Sequence, residues 1–203
     1  RITMSKPFRL SVINVRAFGS GYDVFSNDEM SIFGFAVTGS GRRFHIKPVN
    51  IGSYSDGDTR SLLATPVELL NEQVSNTDNI CAICLFLIER DNGDVISFSN
   101  NAMEKFNTNW DKALQETDEG MSATEKNLYA FSQSMIPMAY SFAKVNSFGD
   151  SDETYPPRFH TIPARLGPGF PGEVGRNLVT RFDGNGFYEI TLNYEFEREL
   201  VIG

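Results

Sequence analysis

The chain has 203 residues, with 26 acidic against 18 basic side chains and a formal net charge of −8 at neutral pH. A chain of this length is most simply one domain with a sizeable core, so we predict a single domain over residues 1–203. The acidic balance argues against nucleic acid as a partner, because binding to phosphates needs clustered lysine and arginine. It fits a cation or a basic protein instead.

The sequence also carries expectations about location. No stretch approaches the ~20 apolar residues of a membrane-spanning helix. The N-terminal RITMSKPFRL lacks the apolar region of a signal peptide, and Met4 is a candidate for the natural start. We therefore expect synthesis in the cytoplasm, with release by a signal-independent route if the protein acts outside the cell.

Short runs of apolar and β-branched residues predict strands along the first half of the chain. The first is FRLSVINV (8–15), and the next two, MSIFGFAV (30–37) and RRFHIKPV (42–49), flank the hairpin connection TGSG. The continuous apolar run NICAICLFLIER (79–90) is typical of a central strand buried on both faces. The segment ATPVELLNEQV (64–74) fits either a helical turn after Pro66 or an edge strand.

Hairpin signals continue this pattern to the end of the chain. DNGD (91–94) predicts a tight turn with VISFSN (95–100) as the return strand. A glycine- and proline-rich stretch then predicts a long loop with one short strand. At the end, NLVTRF and FYEITLNYEF (187–196) flank DGNG, and the regular alternation of the last strand predicts one buried and one solvated face.

A helical region interrupts these strands. Apolar residues at three- and four-residue spacings predict one helix through Met103, Phe106, Trp110, Ala113 and Leu114. The capping box SATE (122–125) predicts the start of a second helix, which Pro137 should end or kink. The apolar stripes indicate packing on a sheet. The predicted fold is therefore mainly β, an antiparallel β-sandwich with a helical insertion over 101–142 at one edge or end.

The residue types that carry catalysis are scarce. Cys81 and Cys84 form a C-x-x-C pair, but they lie in a predicted strand and lack further zinc ligands, so we interpret them as buried apolar residues. His45 and His160 are the two histidines, and we expect structural or surface roles for both. No nucleophile elbow, phosphate loop or dinucleotide fingerprint is present in the sequence. We predict that the protein is not an enzyme.

Carboxylates cluster at the predicted loop tips, and Ca²⁺ prefers such oxygens on adaptable loops. Asp28 and Glu29 lie at the entry of one predicted strand, and Glu89 and Asp91 lie at the exit of another. If the two strands are antiparallel neighbours, these four acids meet at one rim. Such crowding is unfavourable unless a cation or an arginine, such as Arg42, Arg43 or Arg90, neutralises it. Turn propensity alone is the other explanation for these residues. The candidate metal ligands are Asp23, Asp28, Glu29, Asp58, Glu89 and Asp91.

Residues 8–37 resemble the first two strands and first loop of a C2 domain, in which an apolar strand leads to an acid-bearing loop. The resemblance implies an eight-stranded sandwich that binds Ca²⁺ and then phospholipid through its loop tips. The chain is also similar to a group of bacterial proteins with an Asp-Glu strand opening, a Gly-Asp loop, an Asp-Asn-Gly hairpin, a helical insertion and a terminal Gly-x-Gly-x-Tyr strand. Here those motifs read NDEMSIFGFAV, SYSDGD, IERDNGD, residues 101–142 and GNGFYEITLNYEF.

Together these features predict a non-enzymatic, calcium-binding C2-like module that docks on a membrane or protein partner. It would be one component of a bacterial toxin or secreted assembly. A calcium-independent protein-interaction module, such as an immunity or chaperone partner, is the alternative, and a metal-dependent hydrolase built on carboxylates is the third.

Overall fold

The structure is a computed structural model, and it describes residues 5–18, 28–75, 80–89, 95–145, 153–163, 176–184 and 186–196. In chain order the strands before the helices are β1 (Ser5–Phe18), β2 (Asp28–Thr38), β3 (Arg43–Tyr54), β4 (Thr59–Ser61), β5 (Val67–Ser75) and β6 (Ile80–Glu89). Then come helices α1 (Val95–Gln115) and α2 (Ala123–Val145), followed by strands β7 (Glu153–Thr154), β8 (Arg158–Pro163), β9 (Arg176–Asp183) and β10 (Phe187–Phe196).

Within these ranges the strands form two five-stranded antiparallel sheets, so the predicted antiparallel β-sandwich is confirmed. In the first sheet, β1 pairs with β10 on one side and with both β4 and β5 on the other, while β9 lies beyond β10. In the second, the order is β3-β2-β6, and β6 pairs on its far side with β7 and β8. The ambiguous segment after Pro66 is the edge strand β5, because its backbone completes the open side of β1.

Strands β2 and β6 form the centre of the second sheet and are buried on both faces. On β2, Met30 and Ile32 contribute to the core between the sheets, while Phe33 and Phe35 contribute to a second core under the helices. β6 alternates in the same way. This two-sided burial explains why both segments read as continuous apolar runs.

The sequence predicted that the helices lie at one edge or end of the sandwich. They instead cover the outer face of the second sheet. Phe106 of α1 stacks on Phe35 of β2 with ring centroids 4.8 Å apart, and Phe131 of α2 meets Phe106 edge-on at 5.9 Å. The expected apolar stripes therefore pack on the sheet, because the outward aromatic residues of β2 and β6 need cover.

One local prediction in the helical region is wrong, and one of the two outcomes predicted for Pro137 does not occur. Residues 95–100 are the first turns of α1, not the return strand of a hairpin, so the helical region begins before residue 101. Val95, Ser99 and Ala102 continue the buried face of Phe106 at helical spacing, and this packing outweighs the strand preference of Val-Ile-Ser-Phe. Pro137 does not end α2, which runs on to Val145, since Met138 beyond it is still buried in the helical core.

The second helix starts as the capping box predicted. The Ser122 amide donates to Glu125 Oε2 at 2.7 Å, and the Glu125 amide donates to Ser122 Oγ at 3.3 Å. These hydrogen bonds lower the pKa of Glu125. Two amides that the helix itself leaves without partners are satisfied in this way.

Gly34 offers a direct test of the central pairing. A β-carbon at Gly34 would overlap the backbone carbonyl oxygen of Cys84 on β6, whereas one at Gly120, between the helices, would meet nothing within 4 Å. We expect Gly34→Ala to lower the free energy of unfolding by roughly 1–3 kcal/mol, because backbone of a central strand must shift. Urea unfolding curves of both variants measure this, and Gly120→Ala should match the unaltered protein. Equal stability of the two variants would contradict the close approach.

Candidate functional site

The strand register brings the predicted acidic strand ends to one end of the sandwich. Met30 of β2 is paired with Glu89 of β6, and Asp28 begins β2 two residues before that pair. On the other side of β2, Asp28 is paired with Tyr54, the last residue of β3. Glu89 is in turn paired with Glu153 of β7. The start of β2 and the end of β6 are therefore neighbours, as expected from the sequence.

The turn between β3 and β4 lies at the same end. The carboxylate of Asp58 accepts a hydrogen bond from the Ser55 amide at 2.7 Å, which closes the turn. Two backbone hydrogen bonds, Ala17 to Asp58 and Gly57 to Ala17, join the turn to the end of β1. Asp58 thus has a structural role in the turn.

The six candidate metal ligands divide between described and undescribed parts of the chain. Asp23, Asp91 and the side chain of Asp28 lie outside the described residues. Glu29 and Asp58 are exposed, and Glu89 is half-buried. In the part of the chain that the structure describes, no three His, Cys, Asp or Glu residues lie close enough together to hold a metal ion. The calcium assignment remains a prediction.

The sequence suggested Arg42, Arg43 or Arg90 as partners for these acids, and this prediction is wrong for Arg42 and Arg43. Arg42 donates to the Gln73 carbonyl oxygen and lies over Phe44, while Arg43 is 3.4 Å from Asp111 of α1. Both arginines lie at the far end of the β2–β3 hairpin, one strand length from Asp28, because β3 runs from residue 43 to residue 54. Arg90 lies outside the described residues.

Arg60 is the basic side chain that sequence reasoning missed at this end. Its guanidinium lies 4.9 Å from the ring centroid of Tyr54 and donates to the Ser53 carbonyl oxygen at 3.1 Å. Burial raises the pKa of Tyr54, Arg60 opposes that change, and Asp58 adds to it. In the sequence, the only indication that Arg60 lies beside these acids is its position two residues after Asp58. One arginine therefore already contributes positive charge beside the acidic turn.

We call this end of the sandwich the acidic end, after Asp28, Glu29, Asp58 and Glu89. Three buried tyrosines lie beneath it and join the two sheets. Tyr54 and Tyr155 belong to the second sheet and its connections, and each ring meets Tyr188 of β10 nearly at right angles, with centroids 6.4 and 5.6 Å away. Their exposed fractions are 0–1%. The strand ends at this end of the sandwich therefore pack on an aromatic layer that connects the two sheets.

A second feature was not anticipated from the sequence. A cleft of about 530 Å³ opens along one side of the sandwich, where β8 of the second sheet faces β9 of the first. Its lining combines basic, polar and aromatic side chains: Arg158, Phe159, His160, Val179, Thr180, Arg181, Asp183 and Phe187. We call this feature the β8–β9 cleft.

Three buried polar atoms of residues that line the β8–β9 cleft have no hydrogen-bond partner among the described residues. They are Nε of Arg158, Nε2 of His160 and Oγ1 of Thr180. Thr180 is only 1% exposed. Because a buried hydrogen-bonding group without a partner costs about 1–3 kcal/mol, three of them in one place are unfavourable for a purely structural cleft.

The other sequence candidates are structural in the described residues. Cys84 is buried, and burial raises the pKa of its thiol well above the usual value, so it is not a reactive thiolate. The side chain of Cys81 lies outside the described residues. His45 Nε2 is 2.7 Å from Ser99 Oγ, so His45 connects β3 to α1. No helix among the described residues is long and apolar enough to cross a membrane.

Comparisons with known proteins return structures but no sequence relatives. No protein-family model matches the chain, and no curated protein matches it. The chain is similar to two structures of human group IVD cytosolic phospholipase A2, both with a methyl γ-linolenyl fluorophosphonate inhibitor and one also with terbium chloride. Sequence identities are 8% and 9% and TM-scores 0.39 and 0.40; the overlap covers 98% of this chain but 18% of the phospholipase chain. Similarity at this level assigns no function.

The two histidines predict a pH dependence of stability. Burial, followed by the charge of Lys47 for His45 and of Arg158 for His160, lowers both pKa values below the unfolded value of 6.5. The unfolded chain then binds more protons, so stability is complete above pH 6.5 and falls as pH drops from 6.5 towards the folded pKa values. Urea unfolding at pH 7.5 and pH 5.5 should show this loss.

The control is the double variant His45→Gln, His160→Gln. Without imidazoles, the difference in stability between the two pH values should shrink. An unchanged difference would mean that other groups cause it.

Proposed function

We propose that the chain is a non-enzymatic, C2-like binding module that takes up Ca²⁺ at its acidic end and then docks on a membrane or protein partner. The observation that carries the proposal is the pairing of Met30 with Glu89, because it makes the strand ends bearing Asp28 and Glu89 neighbours. Calcium prefers six to eight oxygen ligands contributed by several loops, and such a junction of strand ends can supply them.

The surroundings of the acidic end support the same proposal. The tyrosine layer of Tyr54, Tyr155 and Tyr188 holds the strand ends of both sheets in place. A net charge of −8 favours cation uptake over binding to an acidic surface without a metal. A bound Ca²⁺ would reverse the local charge, which is the change that allows an acidic module to approach an anionic membrane.

We extend the proposal to a role as one component of a bacterial toxin or secreted assembly. Its support is the order of motifs that the chain shares with the bacterial group described above. That order covers the Asp-Glu strand opening of β2, the SYSDGD turn and the terminal strand β10.

Calcium should stabilise the protein if the acidic end binds it. Binding to the folded state alone adds about 2.7 kcal/mol at a ligand concentration one hundredfold above Kd. For a chain of this size each kcal/mol raises Tm by roughly 2–4 °C. Thermal melting in millimolar CaCl₂ and in EGTA, at constant ionic strength, measures the shift.

The paired variant Asp28→Asn, Asp91→Asn should abolish the calcium shift while leaving the EGTA melt nearly unchanged. Asp118→Asn is the matched control, because this exposed carboxylate lies between the helices and changes the net charge in the same direction. A melt that CaCl₂ does not move, or a shift that survives the paired substitution, would overturn the calcium proposal.

A calcium-independent interaction module is the second candidate, and the role of Asp58 favours it. Its carboxylate already accepts the Ser55 amide, and the neighbouring Glu29 is exposed, so the acids at this end can meet a basic surface directly. Association would then depend on long-range attraction between unlike charges.

An oligolysine peptide is a suitable probe for this second candidate. Its affinity should fall steeply between 50 and 300 mM NaCl, a range that includes the physiological ionic strength at which the Debye length is about 8 Å. The affinity should be the same in EGTA and in CaCl₂. Isothermal calorimetry measures both. Binding that requires calcium or ignores salt would exclude this candidate.

A further inference from the structure

The β8–β9 cleft lies where the two sheets of the sandwich face each other across an open side. β8 is paired with β6 in the second sheet, and β9 is paired with β10 in the first. Ile162 of β8 and Phe182 of β9 belong to the core between the sheets, so alternate residues of the two strands face that same space. Arg158 and His160 alternate with Ile162 along β8, and Thr180 alternates with Phe182 along β9, so the three side chains lie on the same faces of their strands as these core residues.

The unpartnered atoms of these three residues define what kind of ligand atom fits. The Nε–H of Arg158 can only donate a hydrogen bond, and the Thr180 hydroxyl can also donate. His160 Nε2 donates when that nitrogen carries the ring proton. A ligand with acceptor oxygens would therefore satisfy donors from both sheets.

Charge in the cleft favours a single negative charge on that acceptor. Arg181 is already paired with Glu189, its Nε donating to Oε2 at 3.0 Å. Burial and the charge of Arg158 lower the pKa of His160, so the imidazole is neutral at neutral pH. Arg158 then provides the positive charge beside the unpartnered atoms, while Asp183 opposes any more highly charged anion.

The remaining walls of the cleft are apolar. Phe159, whose ring also meets Phe131 of α2 edge-on, is 48% exposed, and Val179 is 47% exposed, so both leave apolar surface open to a ligand. Phe187 lies at the end near Asp183. A volume of about 530 Å³ is within the usual range for small-molecule sites.

We propose that the β8–β9 cleft binds a small amphiphilic carboxylate. Its carboxylate accepts hydrogen bonds from Arg158, His160 and Thr180, and its apolar part lies towards the rim of the cleft, which Phe159, Val179 and Phe187 line. The site shares no residue with the six candidate calcium ligands and needs no metal.

Benzoate and benzamide form a matched pair of probes for this site, since they have the same shape and differ in charge. Titration of the full chain in EGTA, followed by protein NMR or calorimetry, should show saturable benzoate binding at least about tenfold tighter than benzamide binding. Acetate should bind more weakly than benzoate, because it lacks the apolar part. Inorganic phosphate should not compete.

Two substitutions test the assigned contacts. Arg158→Gln should weaken benzoate binding at least about tenfold. Arg176→Gln is the control and should not weaken it, because it makes the same change of charge on an exposed residue of β9 outside the cleft lining. If Arg158→Gln does not fold, Arg158→Lys keeps the charge but removes Nε and should also weaken binding. Thr180→Val should weaken benzoate binding. The Tm of the ligand-free variant should equal or exceed that of the unaltered protein, because the substitution removes a buried hydroxyl that has no partner among the described residues.

Equal affinity for benzoate and benzamide, tighter binding of phosphate, or binding indifferent to Arg158→Gln and Thr180→Val would each overturn the proposal. Because all titrations are run in EGTA, the result is independent of whether the acidic end takes up calcium.

Discussion

The pairing of β2 with β6 is the contact on which the rest of the structure depends. It runs without a break from Met30 with Glu89 to Thr38 with Cys81, and Gly34 lets the two backbones approach where any side chain would collide with a carbonyl oxygen. Each strand has one face in the core between the sheets and the other in the core under the helices. A single ladder therefore aligns three layers, two sheets and a helical pair, because a shift by one residue would exchange the side chains of its two faces.

The same ladder determines which ends of the strands meet. Its antiparallel direction brings the start of β2 to the end of β6, and β3 adds the turn that Asp58 closes. The ring of Tyr188 then links this end to the first sheet by contacting Tyr54 and Tyr155. Acidic side chains can stay exposed here at little cost, since surface charges are well solvated and the burial that stabilises the fold lies beneath them.

The sequence predicts the parts of this structure that depend on local patterns. Alternation in β10, the continuous apolar run of β6 and the capping box at Ser122 each reflect contacts within one element or between neighbours, and the structure confirms them. The start of α1 was wrong because Val95 to Ser99 favour a strand locally, while burial against the sheet, a contact between distant residues, decides the outcome. The same limit applies to Arg43, whose partner Asp111 is 68 residues away.

The β8–β9 cleft shows most clearly why a site can be absent from sequence patterns. Arg158 and His160 belong to a proline-rich stretch and Thr180 to an alternating strand, and neither segment carries a motif. They become a site only because β8 ends one sheet and β9 ends the other within the described fold, so the two edges face each other. An edge where two sheets diverge cannot be filled by ladder hydrogen bonds, and polar side chains turned into it stay unsatisfied unless something else supplies acceptors. A fold that tolerates this loss must have stability to spare elsewhere, and the buried faces of β2 and β6 contribute to it.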